Sequence, residues 1–354
     1  MTRDELEDLI RKAEVIRGVS LAGADLRGAK LSGGIFEDVD FVRANLAGAD
    51  FRQSILTGCR LNGTRIAGAD FSKTVVASTS FERAGGARAR FREAQVAGCD
   101  FSNATIPEAD FTTGSFARCD FEGAHLAGAQ LELASVVDCR TLGLVLSGAR
   151  LEGTIFIGAD LTRSPIDGAR FRRTSLIKAR LAGCDLRGIA LPTCQLLEAD
   201  LTGSDLSQAD LSQCGLSGAI LEAARLDGAR LSQAVLAKAR LAGASLKGAD
   251  LSQATMIEAD VTGADLTGAR LYQTIATQLK AAGARFGNAD FTYADFSHAD
   301  LERADLGGVR FFRTNLHEIR DAGANIPSRR GVLPPDSDRT TADRWHARWQ
   351  APRQ

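Results

Sequence analysis

Hydrophobic residues recur every fifth position along this chain, from Ile16 to Leu316, without a slip in phase. Of these 61 positions, 57 hold Leu, Phe, Ile, Val or Met; the departures are Gly86, Thr141, Ala276 and Ala281. Two residues before each centre from Leu26 to Leu316 sits a small residue in 54 of 59 cases; Val39, Leu144, Ile189, Leu279 and Val309 are larger. A period of five suits neither common element. On a helix, successive centres would turn by about 500° and smear around the cylinder; on a long strand, an odd period throws them onto alternate faces. The pattern is satisfied if the chain turns a corner in each unit and points every centre inward, with a small residue sharing the crowded interior.

The residue before each centre shows how many corners close one turn. In the columns starting at Ser20, Asp25 and Lys30 it is charged at 33 of 45 positions; in the column starting at Ile35 it is charged once in fifteen, at Asp295. Gln213, Gln233, Gln253 and Gln273 repeat with the same spacing of twenty and predict a side-chain ladder. Four units per turn follow.

Units such as Ala24-Asp25-Leu26-Arg27-Gly28 and Ala249-Asp250-Leu251-Ser252-Gln253 resemble the pentapeptide-repeat family, whose motif is A(D/N)LXX. The resemblance implies an all-β fold, a right-handed quadrilateral β-helix of about fifteen coils with short terminal helices. At about 4.8 Å between neighbouring strands, such a rod is on the order of 70 Å long. The expected organisation is a capping helix over residues 1–17, the β-helix over 18–326, and a proline-containing linker with a Trp-bearing helix or tail over 327–354. Thr2 and Glu5 have capping-box spacing, and Leu6, Leu9, Ile10 and Ala13 share one helical face. Three irregular stretches are expected to disturb the ladder locally: a bulge or cavity at Gly85-Gly86, a register adjustment at Thr141, and a helical or turn excursion over 277–282.

Charge and chemistry narrow the function. The chain carries 43 basic and 44 acidic side chains, a formal net charge of −1, which gives no electrostatic reason to expect nucleic-acid or membrane binding. All seven cysteines occupy the small inward position and read as core residues, which places the protein in the reducing cytoplasm. No signal peptide or membrane-length apolar run is seen. Carboxylate pairs are produced by the repeat itself. No phosphate-binding loop occurs, and a filled solenoid offers no pocket for a catalytic triad. His298 and His317 can approach each other near Asp295 and Glu318, but they read as ordinary surface histidines. No catalytic residue, cofactor or metal is therefore expected.

The fourth wall is the exception to this charged pattern. Before its centres stand Ile35, Ile55, Val75, Ile155, Val235 and Ile275; after them stand Val137, Ile157, Ile177, Leu197 and Ile257. Their stacking predicts an apolar strip as the contact face for a protein partner or a second copy of the chain. Trp345 and Trp349, the only tryptophans, form the expected second contact or a plug for the last coil. The wall preceding it carries Arg150, Arg170, Arg172 and Arg173. The expected function is a non-enzymatic scaffold or adaptor. Phe311-Phe312-Arg313-Thr314-Asn315-Leu316-His317, the Asp321-Ala322-Gly323-Ala324 turn and the tail resemble type VI secretion-associated members, which implies effector loading. The alternative the family implies is a DNA mimic that binds DNA gyrase, a role that calls for a strongly acidic rod.

Overall fold

Each unit turns because its own side chains and backbone close a corner. The aspartate before a centre accepts a hydrogen bond from the amide two residues on, as from Val42 to Asp40 (3.0 Å), Ser102 to Asp100 (2.8 Å) and Thr292 to Asp290 (3.0 Å). On the walls without strands the carbonyl of the centre then accepts from the amide three residues later, as from Ala44 to Phe41 at 2.8 Å. The residue second after the centre takes positive φ, 58° at Arg43 and 67° at Gly48, as a type II turn requires. Glycine meets that demand cheaply; Arg, Gln, Glu and Asn meet it elsewhere at a cost of about 1 kcal/mol.

A computed structural model describes residues 1–334 and, beyond them, 337, 338, 340, 341 and 343. Residues Met1–Leu181 with Ala190–Ala199 form one compact unit; Ala182–Ile189 with the described residues from Asp200 onward form another. Both are built as an all-β parallel solenoid, and the first carries a short helix.

In the first unit, the helix α1 (Arg3–Arg11) precedes eight three-residue strands: β1 (Val15–Arg17), β2 (Ile35–Glu37), β3 (Ile55–Thr57), β4 (Val75–Ala77), β5 (Gln95–Ala97), β6 (Ser115–Ala117), β7 (Ser135–Val137) and β8 (Ile155–Ile157). They form one parallel sheet in sequence order, each residue facing the residue twenty further on, as Ile35 faces Ile55. The other walls are joined by single bridges with the same step, such as Asp40 to Arg60 and Asp50 to Asp70. The N-cap Thr2 and Glu5 form the expected capping box. Leu6 is fully buried, and Arg3 donates to the carbonyls of Arg27 (2.9 Å) and Gly28 (3.0 Å), so α1 is hydrogen-bonded onto the first turn.

The core of this unit is partly aromatic. Phe51, Phe71, Phe91 and Phe111 stack with centroids 4.8, 4.9 and 5.3 Å apart, and Phe81, Phe101 and Phe121 stack at 4.7 and 5.0 Å. Inward centres twenty residues apart impose this spacing. In the second unit, leucine fills the same positions from Leu201 to Leu251, all fully buried. Its walls are joined by single bridges such as Asp205 to Arg225 and Gly215 to Val235. Gln213 donates to Gln233 at 3.0 Å, Gln233 to Gln253 at 2.9 Å and Gln253 to Gln273 at 2.9 Å, the amide ladder read from the repeat.

The irregular stretches are more regular than their sequences imply. At Gly86 the ladder passes without a bulge, since the Gly86 amide donates to Thr105 at 3.0 Å. Gly86 has φ 137°, and a Cβ there would stand 2.3 Å from the Ala67 nitrogen; the backbones close together where the side chain is missing. Thr141 is buried as a centre, exchanges hydrogen bonds with the Asp160 backbone, and leaves its volume to the buried Leu144. A cavity of about 10 Å³ remains beside Leu144, among centres that include Phe116 and Phe156. Over 277–282 no helix forms. Ala276 and Ala281 are small centres and Leu279 is a large residue at the small position; all three are fully buried, so volume is exchanged and the register holds.

The segment after Pro327 also departs from expectation. It is no free linker at its start: Val332 bridges Thr314, and Leu333 donates to the Thr314 carbonyl at 2.8 Å. Beyond it, Ser337, Asp338, Thr340, Thr341 and Asp343 are helical. Trp345 and Trp349 lie outside the described residues.

Candidate functional site

The wall read as apolar is the wall that forms the sheet β1–β8. On this wall Ile55, Val75 and Ile155 are exposed, at 40, 45 and 39 %, and Ile35, Val137, Ile157, Ile177 and Leu197 are half-buried.

The register brings these residues together in two runs. Before the centres, Val15, Ile35, Ile55 and Val75 stack directly. The column then turns polar at Gln95, Ser115 and Ser135 before Ile155. After the centres, Ala77, Ala97, Ala117, Val137 and Ile157 stack in register, and Lys178 on the next turn donates to the Leu197 carbonyl beside Ile177. The apolar strip therefore crosses the sheet obliquely instead of running straight along one column. Where it crosses, Val75, Gln95, Ala97 and Ala117 line a shallow depression. A polar rim follows the corner, where Lys178 meets Glu198 at 3.6 Å. In the second unit, Val235 (41 %) and Ile275 (45 %) are exposed and Ile257 is half-buried, with Thr255 between the first two in the ladder. They form a smaller patch, edged by Lys238 and Glu258 at 3.7 Å.

The charged walls are largely self-paired. An arginine in one turn meets the aspartate twenty residues earlier at Arg60–Asp40 (2.8 Å), Arg140–Asp120 (2.7 Å), Arg180–Asp160 (2.9 Å) and Arg285–Asp265 (2.8 Å). Arg172 and Arg173 of the arginine cluster both approach Glu152. Each exposed pair contributes little stability, about 0–1 kcal/mol, but together they cancel the field of these faces. Asp265 is the most buried acid among the described residues. Burial raises its pKa, but the Thr267 hydroxyl and amide and the Arg285 guanidinium outweigh that and hold it below the usual carboxylate range.

The cysteines are core residues. Cys59, Cys99, Cys119, Cys194 and Cys214 are buried, and Cys139 and Cys184 are half-buried. Burial pushes Cys59 and Cys194 up to about 11, and each thiol donates to a backbone carbonyl of the preceding turn. Such thiols are poor nucleophiles. The two histidines do meet, with rings 5.4 Å apart, but Asp295 is not with them: it accepts from the Ser297 amide and from Asn315. Asp343 stands there instead, 2.9 Å from His317, a residue that spacing along the repeat could not bring to the pair.

Parallel β-solenoid turns that repeat every twenty residues place the chain in the class of repeat-built proteins. The profile of the pentapeptide repeats matches residues 20–58, 35–72, 44–83, 166–189, 194–233, 234–272 and 277–317, and the chain belongs to the pentapeptide-repeat family. No curated protein matches it over its sequence. Among solved structures it is similar to HetL, a pentapeptide repeat protein involved in heterocyst differentiation regulation from the cyanobacterium Nostoc sp. strain PCC 7120. The identity is 21 %, over 95 % of this chain and 98 % of that one, with a TM-score of 0.21. It is also similar to QnrB1, a plasmid-mediated fluoroquinolone resistance protein, at 17 % identity over 74 % of this chain and 96 % of that one, with a TM-score of 0.24. A third match is a pentapeptide repeat protein of the Arabidopsis thaliana thylakoid lumen, 30 % identical over 33 % of this chain and 67 % of that one, with a TM-score of 0.13. Backbones that superpose this poorly give no basis for carrying a function across. No helix among the described residues is long and apolar enough to cross a membrane.

Proposed function

We propose that this protein is a non-enzymatic scaffold or adaptor in the cytoplasm, and that it holds a protein partner on the sheet face of its first unit. The observation that carries this reading is the contrast between walls. The faces with Asp and Arg before their centres pair many of their charges from turn to turn, as at Arg60–Asp40 and Arg140–Asp120, whereas the sheet exposes Ile55, Val75 and Ile155. Covering that strip returns about 25 cal/mol for each Å² of apolar surface, so a few isoleucine-sized anchors within a polar rim suffice for a specific contact. A second copy of the chain is the alternative occupant of the same face. The domain boundaries at residues 17 and 326, the right-handed sense and the count of about fifteen coils belong to this proposal.

Loading of effectors for type VI secretion is the finer form of the reading and rests on the motifs around Phe311–His317. The gyrase-binding, DNA-mimic reading draws no support from walls whose carboxylates are matched by arginines. The test is capture of partners from the native cell by wild type and by two double variants, Ile157→Lys with Ile177→Lys and Arg170→Glu with Arg172→Glu. Loss of the partner in the isoleucine pair alone supports the assignment. Loss in the arginine pair alone replaces it with electrostatic recognition, and recovery of gyrase subunits revives the mimic.

A further inference from the structure

We propose that His298, His317 and Asp343 form a binding site for a divalent transition-metal ion of the zinc type, which clips the helical segment around Asp343 onto the solenoid. One donor atom from each of the three lies within 4.8 Å of the others. Two of the separations are 2.9 Å, from His317 Nε2 to Asp343 Oδ2, and 3.4 Å, from His298 Nε2 to the same oxygen. A tetrahedral ion with ligands at about 2.0–2.2 Å holds its donors about 3.3 Å apart, so adjustments of under an ångström or so per side chain complete the set. Two imidazoles with one carboxylate select zinc and its neighbours over magnesium or calcium, which prefer all-oxygen ligands.

The fold builds this arrangement. His298 and Glu318 occupy equivalent corners one turn apart, with φ 60° and 48°, and the His298 amide donates to the His317 carbonyl at 2.8 Å. This fixes the backbones of both histidines in the ladder. His317 is further held by its amide, which donates to Asn315, and its side chain is only 4 % exposed. Glu318 faces the opposite nitrogen of His298, Nδ1, at 3.8 Å. A carboxylate that closes to hydrogen-bond distance behind a metal-binding histidine fixes the tautomer that leaves Nε2 free to bind. Metal and protons compete for imidazole and carboxylate ligands, so binding weakens as pH falls. The solenoid is closed by its own ladder and core, and its folding does not depend on the ion.

The test is titration of zinc chloride into the full-length protein after treatment with chelator and dialysis, followed by calorimetry, with Co²⁺ as a spectroscopic substitute. One equivalent is expected to bind, Co²⁺ to show the visible bands of a tetrahedral nitrogen–oxygen site, and Mg²⁺ to give no heat. His298→Ala, His317→Ala and Asp343→Asn should each weaken binding by about 100-fold or more, and Glu318→Gln by about 10–100-fold. Circular dichroism of apo and loaded protein should coincide. Absence of zinc binding at about 10 µM overturns the proposal, as does undiminished affinity in His298→Ala or Asp343→Asn. If the buried His317 cannot be replaced without unfolding, the half-exposed His298 and Asp343 decide the matter.

Discussion

At the scale of single residues, position within the five-residue unit decides the cost of a substitution. Leu206 is fully buried in the second unit, so Leu206→Asp places an unpaired charge in a filled interior. We expect a loss of about 4 kcal/mol or more, read as a large shift of the denaturant midpoint. A variant that unfolds like wild type would mean that this centre does not face inward. Gly86 sets the opposite constraint, because its neighbour is backbone. Gly86→Val should cost about 2–3 kcal/mol, through a Cβ forced against the Ala67 nitrogen at a φ that L-residues avoid. The same change at Gly48, where the added Cβ meets nothing, should cost less by the same measurement. Asp265 adds a pH dependence. Its carboxyl titrates below the ordinary value of about 3.9, so its stabilisation is complete above that pH and is lost as the pH falls through the lowered folded value. The stability of Asp265→Asn should therefore fall less than that of wild type between neutral pH and pH 3.

The elements show what was legible in the sequence and what was not. The five-residue phase, the twenty-residue turn, the α1 cap with its Thr2–Glu5 box and the glutamine ladder are all local patterns repeated, and each appears in the structure. Three readings went astray because a missing side chain was treated as a break. At Gly86, at Thr141 with Leu144, and at Ala276, Leu279 and Ala281, the backbone hydrogen bonds between turns outweigh the local loss, and neighbouring volumes trade places. The oblique course of the apolar strip was hidden because two columns, before and after the centre, must be read together in register. Asp343 was missed for another reason: it lies outside the repeat, where no periodicity gives its position. At this scale Gln233→Ala should remove two ladder hydrogen bonds and cost about 1–2 kcal/mol, read by chemical denaturation, whereas Ser217→Ala, outside the ladder, should stay within about 0.5 kcal/mol.

For the molecule as a whole, the fixed step from each residue to its partner one turn on sets how the chain tolerates loss or gain of length. Residues 216–235 make up one full circuit of the second unit, and joining Gly215 to Leu236 puts a chain of unchanged phase behind the cut. Every later side chain then keeps its wall, and the excised protein should melt cooperatively with only a modest loss. Joining Gly215 to Leu221 removes a quarter as much chain and does far more harm. Centres still point inward, but the next residue above Gln213 becomes Lys238 in place of Gln233, and the one above Asp210 becomes Val235 in place of Arg230. Insertions and deletions in this protein are therefore quantised: a complete circuit is nearly silent, while a single unit rotates everything downstream by one face and scrambles which surface a partner meets.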